Sequence, residues 1–404
     1  MIIRLTMKRQ LRSLLLGSAV GAAFGASALA NHRTGDFPLP DAIAMGDFDQ
    51  DGKLDLAVNV SGFDTLAILT GDGEGGFTLK GHVESDTLPK GLAAADIDAD
   101  GHLDLISATQ WGYSIHLFCG DGLGGFVPAN ELNGDGEPTR VLAADFNNDG
   151  KLDLVTNAQE EGNVLIYFGD GHGAFGNSPT ELEGLASNYT LGVADFNHDG
   201  SPDIATTDLK SKSAGGSNVA VFLNNGTGAF TETPEFAVGP GASVLSVGDL
   251  NHDGNIDIVV GGPGSGTQTG LFITTYLGDG TGSFTQKQII NLGAGAVDGE
   301  MALGDFNEDG NVDVAFPVPY SQGETPSSTV LVFFGDGAGG LSAGPSITLG
   351  SAPDSAVTAD FNQDGHLDLA VTNRNDDTLS ILFGDGHGTF SVHATIPLAV
   401  LPAL

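Results

Sequence analysis

Cysteine is all but missing: Cys119 is the only one in 404 residues. No intrachain disulfide can form, so a chain bound for an oxidising compartment must find rigidity elsewhere. Basic side chains are scarce too, with 14 Lys and Arg against 52 Asp and Glu, for a formal net charge of −38. A surface of that sign repels nucleic-acid phosphates and anionic lipid, which argues against both as partners. Sustained helical periodicity is also lacking beyond the first 30 residues. Cys119 itself sits in an apolar run ending Gly120-Asp121-Gly122 and reads as a buried, inert thiol.

What is abundant is glycine, 62 residues without a G-X-Y period, beside ample apolar content. That mixture suits short strands joined by tight turns. Four of the few bases (Arg4, Lys8, Arg9 and Arg12) precede an apolar stretch from Leu14 to Leu29, and Ala28-Leu29-Ala30 supplies a small-x-small cleavage pattern. Residues 1–30 therefore read as a signal peptide, with a mature chain of 31–404 that is secreted, periplasmic or extracellular. No membrane insertion of the mature chain is expected.

From Asp47 a ten-residue pattern recurs seven times, starting at positions 47, 96, 145, 195, 249, 305 and 360. Each copy is followed by an apolar run, Gly-Asp-Gly or a close variant, and then Gly-x-Phe. Asn225-Gly226 replaces Asp-Gly in the fourth copy, and Leu341 replaces the Phe in the sixth. Each period holds four short strands. A small-residue run such as Gly91-Leu92-Ala93-Ala94-Ala95 comes first, then the strand after the acidic loop, then the run before Gly-Asp-Gly, then one from Gly-x-Phe. The Asp-Gly reads as a two-residue hairpin. Seven four-stranded antiparallel units with no linker between them predict an all-β, seven-bladed β-propeller, a single ring and a monomer. Small residues in the first strand fit the crowding near its axis.

The acidic loops follow Asp-x-(Asp/Asn)-x-Asp-Gly-x-x-Asp. Oxygens at positions 1, 3 and 5 of a tight loop converge on one point, Gly at 6 permits the turn, and position 7 offers a backbone carbonyl. The aspartate at position 9 returns from the next strand. The expected ligands are Asp47, Asp49, Asp51, Lys53 and Asp55 in the first loop, and Asp96, Asp98, Asp100, His102 and Asp104 in the second. The third and fourth supply Asp145, Asn147, Asp149, Lys151 and Asp153, then Asp195, Asn197, Asp199, Ser201 and Asp203. The fifth and sixth supply Asp249, Asn251, Asp253, Asn255 and Asp257, then Asp305, Asn307, Asp309, Asn311 and Asp313. The seventh supplies Asp360, Asn362, Asp364, His366 and Asp368. Position-7 residues would ligate through their carbonyls, so the set is all oxygen. That favours Ca2+, about one ion per blade, over zinc or copper. Three or four carboxylates brought together without metal would repel by roughly 1–4 kcal/mol per pair at 4 Å. An EF-hand is excluded, because Val58 stands in a strand where that motif needs a Glu at position 12.

These copies resemble FG-GAP repeats, also described as VCBS repeats, the units of the integrin α-subunit propeller and of many secreted bacterial proteins. The resemblance spans about residues 36–398. It implies calcium at the loop positions named above and an integrin-like propeller fold, compatible with a binding or adhesion module. All seven loops are intact and no further domain is expected, which sets the chain apart from integrins and argues against an integrin-like signalling role.

Strand parity puts the acidic loops and the Gly-Asp-Gly hairpins on one face. The loops between strands 2 and 3, and the connections between blades, lie on the other, where binding is expected. The 2–3 loops lengthen at 208–218, 261–270 and 317–329, carrying Lys210, Lys212 and Tyr320. Trp111, Tyr113, Arg140, Tyr189 and Arg374 fall on the same face. The expected function is non-catalytic binding of an extracellular glycan or protein. The alternatives are a polysaccharide lyase or other carbohydrate-active enzyme, for which no Tyr/His/Arg cluster is legible, and a structural matrix or coat protein.

Overall fold

The computed structural model describes residues 39–399 apart from 209–216, 266–267, 294, 298 and 322–324. The expected signal peptide, Lys210 and Lys212 lie outside the described residues. What is described is seven antiparallel sheets, each built from strands consecutive in sequence, which make an all-β, seven-bladed propeller with four strands per blade. In the first blade they are Pro40–Gly46, Asp55–Val60, Thr65–Gly71 and Phe77–Glu84, and in the last Pro353–Ala359, Asp368–Asn373, Thr378–Gly384 and Phe390–Pro397. Blades 4 and 6 break their outer or inner strand into two short pieces without changing the order.

Burial explains the sequence pattern of each strand. The second strands, such as Asp104–Thr109, are buried at every residue, because neighbouring blades cover both faces of the sheet. Continuous apolar runs, rather than alternation, follow from that. The outer strands, such as Phe77–Glu84, alternate instead. Near the axis only small side chains fit: a Cβ on Gly46 would lie 2.4 Å from Leu103 Cδ1 of the next blade.

Blade joins with blade through one repeated device. In most loops position 2 is Phe and meets the Gly-x-Phe ring of the following blade, edge-on where Phe48 meets Phe126 (5.3 Å), Phe196 meets Phe284 and Phe306 meets Phe390; Ile97 and Leu250 take that place in the second and fifth loops. Beside each pair a glycine of the hairpin donates its N–H to the position-2 carbonyl of the preceding loop, Gly124 to Phe48 at 2.9 Å and Gly282 to Phe196 at 3.1 Å. The last blade closes on the first by the same contacts: Phe77 packs on Phe361 at 5.6 Å, and Gly75 N donates to Phe361 O at 3.1 Å. Thr372 Oγ1 adds a bond to Asp41 O at 3.1 Å. Among the described residues no strand is exchanged between first and last blades.

Two expectations change. The Gly-Asp-Gly hairpin is not a two-residue turn, since residues 72–76 separate the third and fourth strands of blade 1. Asp72 Oδ1 accepts the N–H groups of Glu74 and Gly76, so the aspartate shapes a longer loop. The expected long loops of blades 5 and 6 are largely paired strand, as in Gly262↔Phe272 and Val318↔Thr329. Extended second and third strands form ribbons there.

Candidate functional site

In the acidic loops the polypeptide turns sharply at position 4, where Gln50, Ala99, Asn148, His198, His252, Glu308 and Gln363 all take φ between 57° and 60°. That left-handed residue folds the backbone back over the position-1 side chain. Asp47 Oδ1 then accepts Asp51 N–H at 3.0 Å and Asp47 Oδ2 accepts Gly52 N–H at 2.9 Å. The same two bonds recur at Asp96, Asp145, Asp195, Asp305 and Asp360. Asp249 keeps the bond from Gly254. Position 3 leans inward, with Asp49 and Asn147 Oδ1 accepting the position-5 N–H. Asn197, Asn251, Asn307 and Asn362 at position 3 also donate an amide N–H to the position-5 carboxylate, Asn197 to Asp199 at 3.0 Å. Position 7 donates its N–H to the position-5 carboxylate in every loop, from Lys53 to Asp51 through His366 to Asp364. The side chains of Lys53, His102 and Lys151 lean back on Asp51, Asp100 and Asp149.

Position 9 does something the motif alone did not disclose. Asp55 is buried, and each of its oxygens takes a backbone N–H, Phe48 at 2.9 Å and Gly71 at 2.8 Å. Asp104, Asp153, Asp203, Asp257, Asp313 and Asp368 repeat the arrangement. Each one ties its loop to the end of the third strand. Burial pushes all seven carboxyls up in pKa, against those backbone bonds and with help from the other loop aspartates. Asp203 and Asp313 are pushed up to about 6.

The donor set suits a hard divalent cation. One carboxylate oxygen from each of Asp47, Asp49 and Asp55 lies within 4.8 Å of the other two, and the same holds for Asp96, Asp98 and Asp100. Oxygens that close fit on one coordination sphere of 2.3–2.6 Å radius. Cys119 Sγ, 3.7 Å from Asp98 Oδ2, is half-buried, and burial and nearby carboxylates push its thiol up to about 11. That fits the inert role expected of it.

A family model for FG-GAP-like repeats matches residues 47–107, 96–156, 213–260 and 249–316, together more than half of the chain. The chain belongs to the FG-GAP-like repeat family. Human phosphatidylinositol-glycan-specific phospholipase D is 31% identical over 149 residues, a match covering 31% of this chain and 18% of that protein. Among solved structures, a candidate 6-phosphogluconolactonase from Bacteroides uniformis superposes with a TM-score of 0.59 at 12% identity, over 89% of this chain and 97% of its own. A protein from Lactobacillus plantarum gives 0.56 at 16%, over 89% and 96%. Identities that low speak to the fold alone.

Opposite the repeat loops, the starts of the first strands open a polar cavity of about 160 Å³. Asp41, Lys90, Arg140 and Tyr189 line it from blades 1 to 4, with Asp354 and Ser355 from blade 7. Lys90 Nζ lies 2.9 Å from Asp41 Oδ1, and Arg374 Nη1 backs the same oxygen at 3.6 Å. Arg140 Nε pairs with Glu300 Oε1 at 3.3 Å. Burial pushes the Asp41 carboxyl up, but Arg374 and Lys90 outweigh it and hold the carboxyl far below the usual range. The structure thus gathers Arg140, Tyr189 and Arg374, which the sequence placed on this face but left scattered. Lys90 and Asp41 were missed because each looks like an ordinary strand-end residue. Trp111 and Tyr113 stay in the blade 2 loop and Tyr320 in the blade 6 ribbon, none of them among the residues that line the cavity. No helix among the described residues is long and apolar enough to cross a membrane.

Proposed function

We propose that this chain is a secreted binding propeller whose seven acidic loops each hold one Ca2+, and which takes an acidic saccharide into the axial cavity. The observation that carries the reading is where the positive charge sits. In a chain of formal charge −38, both arginines among the described residues and Lys90 converge on the axial mouth, and Arg140 and Lys90 line it beside Tyr189. Asp41 and Glu300 offset these cations, so the mouth is far less negative than the rest of the surface, and an anion that can compete for Arg140 meets least repulsion here. The cavity of about 160 Å³ is open on one side and ring-sized, comparable in volume to the ~150 Å³ site that takes up benzene. It suits a sugar carboxylate better than a flat protein surface. Calcium supplies charge neutralisation and a clamp in place of disulfides, leaving the opposite face for binding.

Calorimetric titration of the calcium-loaded protein with uronate oligosaccharides tests it. Saturable binding that Arg140→Met weakens on the order of tenfold is expected, with neutral oligosaccharides of equal length inert. Equal binding of both sets would sink it.

A second reading, a polysaccharide lyase, is favoured by one feature: Tyr189 and Arg140 share the cavity, offering a hydroxyl to move a proton and a cation to neutralise a uronate. Growth of unsaturated-uronate absorbance on acidic polysaccharides, lost in Tyr189→Phe, separates it from simple binding.

A further inference from the structure

Blade 2 carries a group of side chains that neither the acidic loops nor the axial cavity uses. His116 lies in the third strand, Ser114–Gly120, directly across from Glu131 in the fourth. Asp86, in the connection from blade 1, brings Oδ2 to 3.9 Å from His116 Nε2. One ligand atom from each of the three lies within 4.8 Å of the other two.

The fold does not ask for a histidine at this place. The matching third-strand position, read from its pairing with the second strand, holds Ala67, Leu165, Ala220, Thr274, Leu331 and Ser380 in the other blades. The surroundings also hold the group in position. The imidazole stacks on buried Phe118, 27° from parallel with centroids 6.3 Å apart; Nε2 lies 3.1 Å from Ser114 Oγ and would exchange that bond for the metal, leaving Ser114 Oγ bonded to Thr109 Oγ1. Asp86 Oδ1 accepts from Thr87 N and Oγ1, which turns Oδ2 toward the ring. The 2–3 loop of blade 2 is tied to the same connection through Gln110 N to Leu88 O and Gly112 N to Thr87 O. A Cβ on Gly112 would stand 2.8 Å from Asp86 Oδ2, so glycine keeps the space beside that oxygen open.

We infer that Asp86, His116 and Glu131 form a site for a borderline divalent cation of the zinc type, separate in place and chemistry from the all-oxygen loops. Calcium prefers hard oxygens, whereas one imidazole nitrogen with two carboxylates is a zinc-type set with a fourth position left to water. Bonds of about 2.0–2.2 Å in a tetrahedron put ligand atoms about 3.4 Å apart. His116 and Asp86 therefore need close by only about half an ångström, and Glu131, exposed at the sheet edge, swings in on its own rotamers. The negative field of the chain raises the local concentration of any divalent cation.

The test uses the full protein saturated with calcium, so that the loops are filled before zinc is added. Zn2+ titrated by calorimetry, and Co2+ followed by visible absorption, should each show one equivalent, with the Co2+ spectrum that of low coordination number. His116→Gln should weaken binding by about 10–100-fold. Glu131→Gln, at an exposed position that cannot unfold the blade, should weaken it in the same direction, while His393→Gln leaves it unchanged. Absence of saturable binding overturns the site, as does binding that His116→Gln and Glu131→Gln leave untouched, which would place zinc in the acidic loops.

Discussion

His198 Nε2 lies 2.8 Å from Asn255 Oδ1, joining position 4 of the fourth loop to position 7 of the fifth. His252 meets Asn311 at 3.0 Å, Asn148 meets Ser201 at 3.3 Å, and Glu308 bonds His366 in the same way. Gln50 instead reaches Gly101 O at 2.8 Å. The left-handed position-4 residue aims each of these side chains at the next blade, so neighbouring loops share a polar contact. Ala99 has no side chain to continue the belt from the second loop. Ordering one loop should therefore help order the next. Asn311→Ala is expected to make calcium titration less steep, while the calcium-free melting temperature shifts by no more than a bond of about 1 kcal/mol allows. A titration of unchanged steepness would show that the loops fill independently.

Positions 5 and 9 of a loop should fail differently. Asp257 is buried and accepts Leu250 N–H and Gly278 N–H, whereas Asp253 is exposed. Asp257→Ala strands two backbone donors, at about 1–3 kcal/mol each, and should lower the melting temperature even in chelator. Asp253→Ala should lower it only when calcium is present. Thermal melts of both variants with and without chelator decide this, and equal loss in chelator would refute the division of roles.

Much of this was legible because the repeat reads seven times over. Spacing alone located the strands, the number of blades and every loop carboxylate, since oxygens at positions 1, 3 and 5 of a tight turn have few places to go. The double bond made by position 9 was not legible, because Gly71 and Gly278 come from a strand distant in sequence. The hairpin was misread because Asp-Gly is a strong two-residue signal when judged locally. In the folded ring that aspartate caps a longer loop, whose later glycine reaches the preceding blade. The axial cavity was invisible for a related reason. Asp41, Lys90 and Arg140 stand about one repeat apart, and only the packing of successive blades sets them side by side, with ring closure adding Arg374.

The raised pKa of about 6 at Asp203 and Asp313 has a defined sign. Both exceed the ordinary 3.8, so the folded ring binds protons more readily than the unfolded chain between those values. Without calcium, stability should fall as pH rises from about 4 to about 6 and then level. On the proposed occupancy, calcium would bind the ionised carboxylates, so its stabilisation should be full above pH 6 and fade below it. Melting temperatures from pH 4.5 to 8, in chelator and in calcium, measure both trends. A calcium increment independent of pH would contradict them.

Asp41 concentrates the ring's closure in one carboxylate. It takes Lys90 from blade 2 on one side and Arg374 from blade 7 on the other, with Ser61 Oγ as a third partner, and is itself only 3% exposed. Asn at this position keeps the shape and removes the charge, leaving two cations facing each other at little exposure. Breaking a buried pair from one side costs about 3 kcal/mol or more. Asp41→Asn should therefore lower the melting temperature by several degrees in calcium and in chelator alike, because the acidic loops lie on the opposite face. Lys90→Met should cost less, since Arg374 still compensates the carboxylate, and it should weaken uronate binding at the same time. If Asp41→Asn instead matched wild type in both conditions, the join between blades 7 and 1 would rest on Phe77–Phe361, the Gly75 bond and the bonds Thr372 Oγ1 to Asp41 O and Leu39 N–H to Asp377.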